Sequence, residues 1–165
     1  PMIVQTALGD SSADVEQVTL AEPSQDWEID VPDLYCERDY ESLASIGWTC
    51  GDVSVQATLT EDAKDDATTL RRMVRALAMA PLPADAPTFD GTDGALLLAD
   101  APSSTAALSL DGTGEDENKD WVVTVTGMGE QARTTASRIW RAFGQEDLPA
   151  AADSEFADFS GELMF

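Results

Sequence analysis

At 165 residues and 17.6 kDa the chain is long enough for one domain with a real core and too short for two of ordinary size. With 43% hydrophobic and 25% charged residues, its composition is that of a globular protein and excludes wholesale disorder. Charge is the outlier: 32 Asp and Glu against 9 Lys and Arg give −23 and a pI near 4.1, which argues against direct binding to nucleic-acid phosphates or anionic membrane surfaces, and the absence of His removes the commonest general base and metal ligand.

Residues 1–25 open with a short apolar stretch, Met2 to Leu8, then turn polar and acidic, and read as a linker or as an edge strand over Val15 to Leu20. Trp27 to Val31 reads as a strand. Asp33 can cap a short helix over Leu34 to Ile46, on which Cys36, Tyr40 and Leu43 share a face. Val55, Ala57 and Leu59 alternate with polar residues as in a half-buried strand, and Leu70, Met73, Val74 and Leu77 then form an i, i+3, i+4, i+7 helical stripe. Ala95 to Ala99 and Ala106 to Leu110 read as strands about a turn through Pro102, Ser103 and Ser104. Trp121, Val123 and Val125 alternate as another strand, followed by a second stripe of Ala136, Ile139, Trp140 and Phe143.

The last of these segments repeats an earlier one. Placing Val55–Pro83 over Trp121–Pro149 without a gap makes nine of 29 positions identical, where chance gives about two. The matches are Thr58/Thr124, Thr60/Thr126, Thr68/Thr134, Thr69/Thr135, Arg72/Arg138, Arg75/Arg141, Ala76/Ala142, Leu82/Leu148 and Pro83/Pro149. The expected fold is therefore α+β: an antiparallel or mixed sheet with helices packed on one face, built from two pseudosymmetric strand-helix repeats. The domain spans 26–149, with repeats at about 26–83 and 92–149, and an acidic-aromatic tail follows at 150–165.

Cys36 and Cys50 are the only cysteines. A disulfide between them would close a loop of about 15 residues, worth ~3 kcal/mol by chain entropy, and would tie the short helix to the strand starting near Cys50. Two buried free thiols are the alternative. A bridge implies an oxidising, extracytoplasmic compartment. The sequence shows no signal peptide and no long apolar run, and since it does not begin with Met it is expected to be a fragment lacking its targeting segment.

Catalytic and metal motifs are incomplete. The loop from Asp111 has Asp116 where a calcium loop needs Gly and Val122 where it needs Glu. Two Cys without His do not complete a zinc set, and Gly127 and Gly129 lack the rest of a phosphate-loop motif. Neither a metal nor a cofactor is expected. Six of the nine cations, Arg71, Arg72, Arg75, Arg133, Arg138 and Arg141, lie on the two repeat helices. The pairs Arg72/Arg75 and Arg138/Arg141 are neighbours on their helix surfaces. Arg and aromatic residues carry much interface energy, so these pairs, with Phe156, Phe159, Leu163 and Phe165 of the tail, are the candidate binding residues. A tail that reaches outward in this way would be removable with little loss of stability.

The acidity suits a solvated surface in high salt, simple solubility, or mimicry of nucleic-acid phosphates. The function expected is that of a non-catalytic, extracytoplasmic protein-protein interaction domain, such as the soluble part of a membrane- or lipid-anchored cell-envelope protein. An acidic DNA-mimic inhibitor is the alternative and a carboxylate-dependent hydrolase the third.

Overall fold

A computed structural model describes residues 15–22, 25–42, 44–61, 66–77 and 86–159. The apolar stretch Met2–Leu8, the side chains of Leu43 and Leu77, the Leu82-Pro83 stop, and Leu163 and Phe165 lie outside the described residues. The elements run β1 (Val15–Leu20), β2 (Ile29–Arg38), β3 (Ile46–Cys50), β4 (Val53–Glu61), α1 (Asp66–Leu77), β5 (Thr88–Asp90), β6 (Ala95–Asp100), β7 (Thr105–Asp111), β8 (Lys119–Thr126), α2 (Gly129–Ala142) and α3 (Ala150–Ala157).

All eight strands form one antiparallel sheet in the order β1-β2-β3-β4-β8-β7-β6-β5. Each half is thus a four-stranded meander followed by a helix, and the halves meet where β4 pairs with β8. In that pairing Ala57 stands opposite Val123, its equivalent in the sequence repeat.

Strand alternation sorts the side chains into two layers. Val55 and Ala57 of β4, Ala106 and Leu108 of β7, and Trp121, Val123 and Val125 of β8 point to one face, where Ala132, Ala136, Ile139, Trp140 and Phe143 meet them. The neighbours Leu96, Leu98, Ala107 and Val122 point to the other face and are covered by Leu70 and Val74 of α1. The helices therefore do not share one face, as the repeat led us to expect. β6 and β7 are apolar on both sides and need a cover on each, so α1 takes the reverse face while α2 and α3 take the front. The two helices of the sequence repeat thus lie on opposite faces of the sheet, and the pseudosymmetry expected of the repeats is not confirmed.

The segment from Leu34 is not a helix. β2 continues through it to Arg38, interrupted by a bulge at which Val18 of β1 faces residues 31–34. Asp33 sits in the bulge with φ +65°, and the extra residues place Val31 and Leu34, three apart, on the same buried side. Cys36 and Tyr40, expected on one helical face, are instead buried on the strand and exposed in the turn after it.

Cys36 and Cys50 are joined, but across two neighbouring strands instead of from helix to sheet. The register that pairs Glu37 with Thr49 and Arg38 with Trp48 brings Cys36 opposite Cys50, with Cα atoms 4.6 Å apart, the separation of a directly opposed pair without backbone hydrogen bonds. Backbone pairing of β2 with β3 covers only those two positions, so the bridge fastens the shortest ladder of the sheet. Replacing both cysteines by Ser is expected to cost about 3 kcal/mol, read from urea denaturation against the oxidised protein. An unchanged midpoint would show that the seam holds without the bridge.

Candidate functional site

The outward face of α2 carries Thr134, Ser137, Arg138 and Arg141 at i, i+3, i+4 and i+7, because the opposite face is committed to the core through Ala132, Ala136, Ile139 and Trp140. With Arg133, Asp147, Leu148 and Asp153 they line an open cleft of about 480 Å³ between α2 and the segment leading into α3. Three of the chain's nine cations meet there.

Each arginine is held differently. Arg133 pairs with Glu130 one turn earlier and with both carboxylate oxygens of Asp153, at 3.1 and 3.3 Å. Hydrogen bonding to Glu130 first, and to Asp153 second, raises its pKa. Arg138 donates from Nη1 to the carbonyl of Asp33 at 2.7 Å, fastening α2 to the β2 bulge. Arg141 pairs with Asp147 at 3.1 Å, and both side chains are more than half exposed. Such an exposed pair is worth little net energy, so Arg141 can exchange Asp147 for another carboxylate at small cost. A second hollow of about 350 Å³ lies beside the cleft and shares Thr134 and Arg138 with it, reaching Leu34, Cys50 and Gln131.

The other arginine pair is elsewhere. Arg72 and Arg75 are exposed on α1, which lies on the reverse face of the sheet, so the four predicted arginines do not form one site. Arg71 of the same helix donates to the carbonyl of Ala86 at 3.1 Å.

The tail residues belong to the core. Phe156 is 0% and Phe159 3% exposed, and their rings sit 4.7 Å apart. The carbonyl of Phe159 accepts from the backbone N–H of Gly129 at 3.0 Å, and a Cβ on Gly129 would stand 3.1 Å from that oxygen. The glycine at the start of α2 thus receives the end of α3. As partner contacts Phe156 and Phe159 are unavailable without undocking this segment, and the expectation of a dispensable tail is corrected accordingly. The acidic loop after Asp111 is closed by Lys119, whose Nζ lies 3.2 Å from Asp116 Oδ1 and 2.6 Å from Gln25 Oε1. Among the described residues no group of three His, Cys, Asp or Glu is placed to hold a metal ion.

Sequence reasoning overlooked the surroundings of β1. It forms one border of the sheet, and Val15 on it and Tyr35 on β2 are 45% and 59% exposed. Pro32 followed by Asp33 within an otherwise strand-like run was the available signal for the bulge.

The chain matches no family model, no curated protein and no solved structure. Phe156→Ala is expected to lower the unfolding free energy by about 3–5 kcal/mol in urea denaturation. A loss below about 1 kcal/mol would place the ring in solvent and return the tail to the role first expected of it.

Proposed function

We propose that this is a non-catalytic domain that binds another protein, and that the cleft along α2 receives a carboxylate-bearing segment of that partner. The observation that carries the reading is the convergence of Arg133, Arg138 and Arg141 with the hydroxyls of Thr134 and Ser137 in one open cleft of a chain whose net charge is −23. Arginine presents a planar fork of donors suited to carboxylates, and hydroxyls beside it supply further hydrogen bonds. Repulsion from the distant acidic surface is largely screened beyond about 8 Å at physiological salt, so the groups inside the cleft dominate close contact. The disulfide supports an oxidising, extracytoplasmic setting for the domain. No helix among the described residues is long and apolar enough to cross a membrane. The sequence repeat supports an origin of the two strand-helix units by duplication, with the helix of the first unit later settled on the reverse face.

Affinity capture from envelope and secreted fractions of the source cell tests the proposal. The wild-type domain is expected to enrich a partner that the Ser137→Glu/Arg141→Glu variant retains at least about tenfold more weakly, a loss of at least about 1.4 kcal/mol. Both substitutions lie outside the core, so thermal melts of the two proteins should coincide. Equal capture by both would reject the cleft, and hydrolytic activity abolished by a single carboxylate substitution would reject the non-catalytic reading.

A further inference from the structure

We propose that the outer edge of β1 accepts an extended, cationic segment of a protein as a ninth strand. This goes beyond the cleft of α2 and uses none of its arginines.

β1 is one of two border strands, and among the described residues its outward backbone groups pair with no other strand. Its polar side chains reach toward β2: Gln17 Nε2 donates to the carbonyl of Val31 at 3.4 Å, Thr19 Oγ1 donates to Asp30 Oδ1 at 3.0 Å, and the half-exposed Glu16 lies 3.9 Å from Arg38 in a loose ion pair that an incoming cation can replace at small cost. The outer side is left to the main chain, the arrangement that strand addition requires. Six residues at about 3.3 Å each offer roughly 20 Å of template. The opposite border, β5, has three residues and is too short to compete.

Charge selects the occupant. From Val15 to Arg38 the chain carries Glu16, Glu22, Asp26, Glu28, Asp30, Asp33 and Glu37 against the single cation Arg38. Carboxylates stand on both sides of the strand plane, since Glu16 lies opposite Cys36 on one side and Glu37 opposite Val15 on the other. A second copy of this chain would add another set of these carboxylates, Glu16 of β1 and Asp30, Asp33 and Glu37 of β2, to the same border, and charge at a border is one way natural sheets avoid self-pairing. A strand bearing Lys or Arg meets complementary charge on both sides. Val15 and Tyr35, both largely exposed, offer apolar contact to the residues between its cations.

The test uses amide hydrogen exchange on the whole chain with two synthetic hexapeptides, one alternating lysine with valine and one alternating glutamate with valine. The lysine peptide is expected to slow exchange within 15–20 about tenfold, the glutamate peptide to leave it unchanged, and Glu16→Lys/Glu37→Lys to weaken the lysine peptide's binding about tenfold. Protection of β1 amides on both sides of the strand in the free protein would overturn the proposal, because the edge would already be covered. So would lysine-peptide binding that leaves β1 unprotected, which would mark diffuse attraction to the acidic surface. The Ser137→Glu/Arg141→Glu variant should bind the lysine peptide as wild type does, so failure at this edge and failure of the cleft are read separately.

Discussion

Eight consecutive backbone pairs between β4 and β8, from Ser54 opposite Thr126 to Glu61 opposite Lys119, join two four-stranded meanders that share no other strand pairing. Everything else is placed relative to that seam. Its residues alternate between two buried layers, Val55, Ala57, Trp121, Val123 and Val125 on the front and Val122 on the reverse, so the sheet needs helical cover on both sides. α2 can lie along the front because β8 delivers the chain there, and its outward arginines form the cleft because its inward face is already committed to the core.

The acidity is distributed in keeping with this architecture. Cations gather on the helices, whereas the strands and connections from β1 to β2 are almost wholly anionic. An open sheet border is ordinarily a hazard, because it templates pairing with any extended chain. The carboxylates of β1 and β2, Glu16, Asp30 and Glu37 among them, would disfavour pairing of this border with another copy of the chain. The cleft and the border thus present opposite chemistries to a partner.

Much of the fold was legible in the residues. The strands about the Pro102 turn and the stripe of α2 follow from period and spacing, while for Val15–Leu20 and for Cys36 and Cys50 the residues offered two readings each, of which the structure shows the strand and the bridge. Two failures have definite physical causes. The helix expected over Leu34–Ile46 rested on the spacing of Cys36, Tyr40 and Leu43, but Cys36 is buried on β2 while Tyr40 is exposed in the turn beyond it, so that spacing runs across a strand and a turn. The stripe of α1 announces a buried face without saying which side of the sheet buries it. The continuous apolar runs of β6 and β7 held that answer, because strands covered on one side only would alternate. The tail was ambiguous for a similar reason: Phe156 and Phe159 have the spacing of an anchor, whether the surface they fill is their own chain's or another's.

The positions of the helices make the two halves reciprocal. α1, which closes the first half, lies on β6, β7 and β8 of the second, and α2, which closes the second, packs most extensively on β2 of the first. The reverse of the second meander is covered only from the first half, while its front is shared by α2 and α3 of its own half. Cut between α1 and β5, the molecule would fall into pieces that are each incomplete and mutually completing. An exchange of halves between two chains would keep the packing of each half on the other and alter only the connection between them. The mutual repulsion of chains at −23 opposes the close encounters on which such an exchange would depend.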